Sequence, residues 1–157
     1  DKTLLELGCG SGIISLLAAS KGAIVTATDI NLKAIETLKQ SAINNQLDLR
    51  VIASNFFNNI TNLSFDYIII NPPYYPKTPK NVKEQAWFCG KNFEYFKNLF
   101  PQLKLHLAKH TWMILSEDCD IDTIKNLAKK SHLKLVLKER KQILKEQNYI
   151  FCVKPIT

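Results

Sequence analysis

Asn71-Pro72-Pro73-Tyr74 combines residue types that position a ligand rather than build a core. The two prolines fix the backbone and remove two N–H donors. The Asn71 side-chain oxygen and the Pro72 carbonyl oxygen are then two fixed acceptors, and a planar NH₂ group carries two donors. Tyr74 offers a ring that can lie flat against the π system bearing that nitrogen. The segment predicts a site that holds an NH₂ nitrogen, and the alternative interpretation is a strand-terminating turn.

A second segment, ELGCGSG at 6–12, is a glycine-rich turn between an apolar run and a helical pattern. Glycines in such a turn permit positive φ and a close approach of the backbone to a ligand. The GxGxG spacing fits a dinucleotide poorly and no Lys-Ser/Thr pair follows, so a nucleotide phosphate loop is disfavoured. Asp29 follows the next apolar run, where a carboxylate can accept hydrogen bonds from both hydroxyls of a ribose. A turn or a helix N-cap at Asp29 is the alternative, and the two roles are compatible.

The hydrophobic pattern predicts the scaffold that positions these residues. Apolar runs alternate with helical patterns, which predicts strands at 3–7, 23–28, 49–53, 65–70 and 111–115 and helices at 13–20, 32–44, 92–109 and 121–130. Continuous apolar strands that alternate with helices favour a doubly wound, mostly parallel α/β sheet. The runs 133–137 and 149–153 predict an antiparallel pair across the Lys-rich stretch 138–147. Ligands bind such sheets at the carboxyl ends of the strands, which the two segments and Asp29 follow.

Length and composition narrow the classes of protein. The 157 residues are 46% hydrophobic, which favours a single domain over 1–157, and the strand-like start without Met indicates that an N-terminal portion is absent. No apolar run reaches 18 residues, so no membrane helix is expected. The net charge of +7 is concentrated in the second half, above all in 125–145. That stretch indicates either an acidic partner such as RNA or a solvated Lys-rich surface.

The four cysteines form no CxxC pair, so we expect free thiols in a cytoplasmic protein rather than disulfides or zinc. Cys9 is expected to be a small residue of the turn rather than a nucleophile. His106 and His110 are four residues apart, but no Asp, Glu or Cys stands at ligand spacing, so no metal site is expected. The acidic residues between 117 and 122 are interpreted as favouring a helix N-terminus.

Two motifs of this chain resemble those of the class I S-adenosylmethionine methyltransferases: ELGCGSG at 6–12 and ATDIN at 27–31. The resemblance covers essentially the whole chain and implies a Rossmann-like seven-stranded sheet with an antiparallel C-terminal strand. It implies S-adenosylmethionine as cofactor and S-adenosylhomocysteine as product. The cofactor residues that it implies are Gly8, Cys9, Gly10 and Gly12 at the methionine part, Glu6 at the amino group, Asp29 at the ribose, and Ile30 at the adenine.

Asn71-Pro72-Pro73-Tyr74 resembles the fourth motif of the amino-methyltransferases, and the residues after it resemble the HemK/PrmC-type glutamine methyltransferases of the methyltransferase small domain. The resemblance implies that Asn71, Pro72 and Tyr74 are catalytic, with Asn71 also reaching the cofactor, and that Pro73 and Tyr75 contact the substrate. The family usually has an acidic residue on the adenine after the third strand, where this chain has Asn55 followed by Phe56.

The substrate implied by the resemblance is a protein glutamine, as in a release factor. An RNA base amino group, in ribosomal or transfer RNA, is the alternative, and an inactive cofactor-binding partner subunit is the second alternative. Trp87, Phe88 and Phe93 either roof the substrate site or begin the core face of the next helix. The sequence gives no oligomeric state.

Overall fold

A computed structural model of the chain describes residues 2–61, 64–143 and 146–156. The described residues form seven strands in a mixed sheet and four α-helices, and the C-terminal strands are antiparallel. This confirms the predicted α/β fold class. Contacts within the chain divide it into two compact units, Asp1–Ile70 and Asn71–Thr157. The single domain over 1–157 stays a prediction.

The first unit has a parallel sheet with the strand order β3-β2-β1-β4. Its elements are β1 (Thr3–Leu7), α1 (Ile13–Ser20), β2 (Ile24–Asp29), α2 (Leu32–Asn44), β3 (Leu49–Ala53) and β4 (Tyr67–Ile70). Leu5, Ala27 and Ile68 are fully buried, as expected for apolar strands covered on both faces. Leu7 is the register partner of Ile70, and Asp29 is that of Ala53, so the carboxyl ends of all four strands lie at one edge of this sheet.

The second unit has three strands in the order β5-β7-β6, and β7 runs antiparallel to both neighbours. Its elements are a short 3₁₀ helix (Glu84–Ala86), α3 (Glu94–His106), β5 (His110–Ser116), α4 (Ile121–Lys130), β6 (Leu133–Ile143) and β7 (Glu146–Pro155). Phe96, Phe100 and Leu103 of α3 are fully buried, as is Met113 of β5. The α3 positions repeat at helical spacing, which is why this helix is visible in the sequence.

Several predicted boundaries are wrong: the strands predicted at 23–28, 65–70 and 111–115 are Ile24–Asp29, Tyr67–Ile70 and His110–Ser116, and the helix predicted at 92–109 ends at His106. The third helix begins at Glu94 rather than at residue 92, because Phe93 has a left-handed φ of 60° and the Glu94 carboxylate accepts a hydrogen bond from the Asn92 N–H at 3.0 Å. The Lys-rich stretch 138–147 was predicted as a connection, but β6 and β7 extend into it and pair as far as Ile143 and Glu146. Lysine has a low strand propensity, so the ladder rather than the composition specifies these residues.

Among the described residues, the longest helices have 13 residues, and none is long and apolar enough to cross a membrane.

Candidate functional site

The glycine turn after β1 has two glycines that face open space and one that packs against a helix. Gly8, Gly10 and Gly12 have φ values of 76°, 52° and 73°, a region that favours glycine. A Cβ atom added to Gly8 or Gly10 would meet no atom within 4 Å. A Cβ atom on Gly12 would lie 2.4 Å from Cδ1 of the buried Leu38 in α2. Gly8 and Gly10 therefore leave room for a ligand, whereas Gly12 lets the turn approach α2.

Four N–H groups of this turn, those of Gly8, Cys9, Gly10 and Gly12, are used inside the protein, and the Ser11 N–H donates no hydrogen bond within the described part of the chain. The Gly8 and Cys9 N–H groups donate to the Thr28 carbonyl at 2.9 and 2.8 Å, and the Gly10 N–H donates to the Asp29 carboxylate at 2.8 Å. The carbonyl oxygens of Gly8 and Gly10 accept no hydrogen bond within the described part of the chain. A phosphate-binding turn directs its N–H groups at the ligand. This turn instead offers acceptors, which suit a positively charged ligand.

Asp29, the last residue of β2, accepts hydrogen bonds from two backbone segments, the glycine turn after β1 and the residue before α2. Its Oδ2 accepts from the Gly10 N–H at 2.8 Å, and its Oδ1 accepts from the Asn31 N–H at 2.8 Å. The side chain is half-buried, and each oxygen keeps a second lone pair for a ligand hydroxyl. The N-cap of α2 is Asn31, whose side chain accepts from the Lys33 N–H at 3.1 Å. The alternative N-cap role for Asp29 is therefore wrong.

Glu6 in β1 is a buried carboxylate. Its Oε2 accepts hydrogen bonds from the Ser15 N–H at 2.9 Å and from the Ser15 hydroxyl. Burial raises the pKa of Glu6 above its usual value, because desolvation disfavours the charged form. Its Oε1 accepts no hydrogen bond from any described residue. A bound cation would compensate this buried charge, and an ammonium group is such a cation.

Cys9 lies inside the turn and packs with Ala27 and Leu38 in a buried cluster. Burial raises the pKa of its thiol to about 12, so the thiol is neutral at physiological pH and is not a nucleophile. All four cysteines are buried free thiols.

Three candidate adenine residues follow β2 and β3, whose last residues Asp29 and Ala53 are register partners. Ile30 is 46% exposed although it is apolar, and the Asn55 side chain is exposed and makes no hydrogen bond with a described residue. Phe56 is half-buried and has a left-handed φ of 49°. Ile30 and Asn55 thus present an apolar surface and an amide at the same edge of the sheet as Asp29.

The charges of the first unit are compatible with S-adenosylmethionine. The ammonium and sulfonium groups of this cofactor are positive, and its ribose offers two hydroxyl donors. Glu6 and the carbonyl oxygens of Gly8 and Gly10 offer acceptors that suit the positive groups, and Asp29 offers acceptors that suit the hydroxyls. The space beside Gly8 and Gly10 admits a ligand against the backbone.

In the second unit, the segment 71–75 begins directly after β4. The Asn71 side chain is exposed and makes no hydrogen bond with a described residue, whereas Pro72 is buried and Pro73 half-buried. Tyr74 is half-buried and its hydroxyl interacts with the Ser116 side chain at the end of β5. Burial raises the pKa of Tyr74 to about 12, so the phenol is neutral at physiological pH. A rigid backbone therefore presents an amide that is free to accept.

Tyr75 is tied to the segment around residue 88. Its N–H donates to the Trp87 carbonyl at 3.1 Å, and its carbonyl accepts from the Cys89 N–H at 2.9 Å. Its hydroxyl donates to Oδ2 of Asp118 at 3.3 Å, and its ring centroid lies 4.8 Å from that of Tyr74. These contacts fix the chain that follows the two prolines.

The structure answers one open question for Trp87, leaves it open for the half-buried Phe88 and Phe93, and corrects one interpretation. Trp87 is 63% exposed, so it does not begin a core face, and it lies beside Tyr75. The acidic residues after β5 were interpreted as helix-terminal, and this holds for Asp120, which accepts from the Thr123 N–H at 3.0 Å. It is incomplete for Asp118, which contacts Tyr75, and for Glu117, which accepts from the Gln147 N–H at 2.8 Å.

Sequence reasoning missed Ser15 and Ser116, which support Glu6 and Tyr74. A buried serine partner carries no local sequence signal, because sheet and helix packing bring it there. Within the described ranges, no cluster of three or more His, Cys, Asp or Glu side chains has a metal-binding arrangement.

Comparison with known proteins identifies the protein family to which the chain belongs. The model of the methyltransferase small domain family matches residues 1–88. A release factor glutamine methyltransferase of Aquifex aeolicus is 31% identical over 123 residues, which is 70% of this chain and 44% of that protein. A ribosomal RNA small subunit methyltransferase C of Erwinia tasmaniensis is 42% identical over 74 residues, which is 46% of this chain and 21% of that protein.

The fold matches solved structures along its length. A methyltransferase from Pyrococcus furiosus superposes with a TM-score of 0.74 at 20% identity, over 99% of this chain and 76% of that chain. The chain spans 14–44% of the length of eight curated relatives that it matches.

The sheet topology is that of the solved methyltransferase structure, and the family model covers more than half of the chain. The chain belongs to the methyltransferase small domain family.

Proposed function

We propose that this chain transfers a methyl group to the side-chain amide nitrogen of a protein glutamine, in a substrate of the release-factor type. One observation carries the proposal: an exposed Asn71 amide without a partner among the described residues follows β4 directly and precedes a buried, rigid Pro72. The choice of glutamine is supported by the Aquifex aeolicus relative, whose similarity covers 123 residues, against 74 for the ribosomal RNA methyltransferase.

We propose that the cofactor is held by residues of the first unit. Glu6 binds its amino group, Gly8 and Gly10 admit its methionine part, Asp29 binds its ribose, and Ile30 with Asn55 contacts its adenine. Cys9 and Gly12 support the turn from inside, and Phe56 stays a predicted contact of the adenine. When bound, S-adenosylmethionine supplies an electrophilic methyl group and leaves as S-adenosylhomocysteine.

On the substrate side, the Asn71 oxygen and the Pro72 carbonyl accept hydrogen bonds from the two N–H bonds of the glutamine amide. These hydrogen bonds raise the electron density on a nitrogen that is otherwise a poor nucleophile, and they fix its position. Tyr74 lies against the amide plane, and its neutral phenol adds no charge there. Pro73 and Tyr75 contact the residues beside the glutamine. One N–H proton passes to water as the new N–C bond forms, so a strong base is not required.

The test uses tritiated S-adenosylmethionine with a peptide that contains Gly-Gly-Gln and the same peptide with Glu in place of Gln. We expect label in the first peptide alone. Asn71→Ala should lower kcat by about 10²–10³-fold, as for the loss of one preorganised polar contact, and leave cofactor affinity nearly intact. Asn98→Ala on the exposed side of α3 is the matched control. Full activity of Asn71→Ala would contradict the mechanism.

A second candidate acceptor is an RNA base amino group, which the basic excess of 125–145 favours. The same assay with total RNA distinguishes the two acceptors. If RNase removes the label and protease does not, the acceptor is an RNA base and not a glutamine. Absence of label in both substrates, with cofactor binding intact, would indicate an inactive cofactor-binding subunit. A cytoplasmic location is part of this proposal.

A further inference from the structure

The end of α4 and the strand β6 carry six exposed basic side chains, which we call the basic rim. Its members are Lys129, Lys130, Lys134, Lys138, Arg140 and Lys141. Across the described residues, the single ion pair joins Lys2 to Asp66 at 3.5 Å, so no member of the rim has a carboxylate partner there. Glu139 is the one acidic residue between Lys129 and Lys141. The rim therefore has uncompensated positive charge.

The rim has a fixed backbone. The turn between α4 and β6 is closed by hydrogen bonds from the Ser131 N–H to the Ala128 carbonyl and from the His132 N–H to the Lys129 carbonyl, both at 2.9 Å. The His132 carbonyl in turn accepts from the Ile156 N–H at 2.9 Å. The backbone positions that carry the basic side chains of α4 and β6 are thus fixed relative to one another, which lowers the entropy that a ligand must overcome.

A β-bulge distributes the charges over both sides of β6. The register runs from Leu137 opposite Phe151 to Glu139 opposite Ile150, which leaves Lys138 as the extra residue. As a result, Arg140 faces the same side as Leu137, while Lys134 and Lys141 face the other side. The strand from Lys134 to Lys141 is roughly 24 Å long at the usual rise per residue. Charges on both sides of an edge strand suit a flexible polyanion that passes along the edge better than a rigid duplex on one face.

Two structural explanations cover part of the rim only. Lys129 and Lys130 stabilise the C-terminal end of α4 through the helix dipole. Lysines on an edge strand also prevent pairing with another chain. Neither explanation alone accounts for the whole rim, and neither requires Arg140 to face the opposite side of β6 from Lys134 and Lys141.

We propose that the basic rim binds single-stranded RNA through its phosphates, without reading sequence. The rim has one Arg and no exposed aromatic residue among its members, so neither bidentate base contacts nor stacking is offered. The choice of RNA over DNA rests on the proposed function, because a release-factor-type substrate acts beside ribosomal RNA. The ability of the basic side chains to bind phosphates does not depend on that function.

The test measures the polarisation of a fluorescent 20-nucleotide RNA between 50 and 200 mM KCl, without cofactor or peptide. The triple variant Lys134→Gln, Lys138→Gln, Lys141→Gln should bind at least about tenfold more weakly at 50 mM KCl and reduce the slope of log K against log salt by about 2, since each lost phosphate contact removes about 0.7. The matched control removes three exposed lysines of the first unit, Lys21, Lys33 and Lys39, and should keep the slope.

Equal losses in the two triple variants, or a wild-type slope near zero, would overturn the proposal. Stronger binding of duplex DNA than of the RNA would overturn the choice of RNA. The variant with Arg in place of the three lysines keeps the charge and should keep the salt slope. Sedimentation checks that the Gln variant does not aggregate. Peptide methylation by each variant is measured in parallel, so that loss of RNA binding and failure of the glutamine assay are separate results.

Discussion

Oδ2 of Asp29 accepts a hydrogen bond from the Gly10 N–H at 2.8 Å, across a separation of 19 residues. This bond joins the carboxyl end of β2 to the glycine turn that follows β1. The other carboxylate oxygen holds the Asn31 N–H at the start of α2. Asp29 therefore orders the turn before any ligand binds, and its remaining lone pairs are presented in a fixed direction.

Asp29→Ala should weaken the binding of S-adenosylmethionine by about 10- to 100-fold, because hydrogen bonds to a charged group contribute about 1.5–3 kcal/mol. Asp29→Asn keeps one acceptor and should have an intermediate affinity. Titration calorimetry measures both. Asp48→Ala, an exposed carboxylate just before β3, is the control and should bind as the wild type does. Unchanged affinity of Asp29→Ala would remove Asp29 from the site.

Glu6 predicts a pH dependence of cofactor affinity. Burial raises its pKa above the ordinary 4.5, so the carboxylate is protonated at a higher pH than an exposed one and then loses its attraction for an ammonium. Affinity should fall as the pH is lowered through the raised pKa. Glu6→Gln should bind more weakly at neutral pH and lack this dependence, since its amide does not titrate. Calorimetry from pH 7.5 downwards gives both profiles, and coincident profiles would contradict the assignment.

The same carboxyl makes an opposite prediction for the cofactor-free protein. A group whose pKa is raised in the folded state stabilises the fold at low pH, and this contribution is lost as the pH rises through the folded pKa. Glu6→Gln keeps an oxygen for Ser15 and carries no buried charge, so its free energy of unfolding at pH 7 should equal or exceed that of the wild type. Urea unfolding measures this, and Ser15→Ala, which removes the hydroxyl partner, should instead be destabilised.

Two glycines of one turn should respond differently to alanine. Gly12→Ala puts a methyl group on Leu38 at a left-handed φ, and should cost about 2–4 kcal/mol of folding free energy. Gly8→Ala meets no protein atom and should cost only about 1 kcal/mol of backbone strain, yet it fills space left for the cofactor. Urea unfolding with calorimetry separates the effects. Equal losses of stability in the two variants would refute the distinction.

We predict that the Trp87 side chain contributes to substrate binding and not to folding. It is 63% exposed and its carbonyl holds the Tyr75 N–H, so Trp87→Ala should leave the melting temperature nearly unchanged and raise KM for the glutamine peptide about tenfold. Leu105→Ala, at a 79% exposed position of α3, is the control for removing an exposed apolar side chain. An equal KM in the two variants would exclude Trp87 from the substrate surface.

The hydrophobic pattern predicts the elements that carry apolar runs. The bounds of Leu49–Ala53 and Leu32–Asn44 are as predicted, because the spacing of apolar residues close together in the sequence indicates both burial and helical structure. The extension of β6 to Ile143 was missed, since its charged residues belong to the strand only through pairing with β7. Asn31, and not Asp29, caps α2, because the two Asp29 oxygens accept from Asn31 and from Gly10, a residue distant in sequence.

The direction of the N–H groups in the glycine turn bears on competition inside a cell. ATP has the same adenosine half as S-adenosylmethionine, so contacts of Asp29 and of an adenine surface alone would not distinguish them. The carbonyl oxygens of Gly8 and Gly10 accept no hydrogen bond from a described residue, Glu6 in β1 is buried, and we expect these groups to repel a triphosphate. We therefore expect the site to distinguish the two molecules by the sign of their charge and to bind ATP more weakly than S-adenosylmethionine.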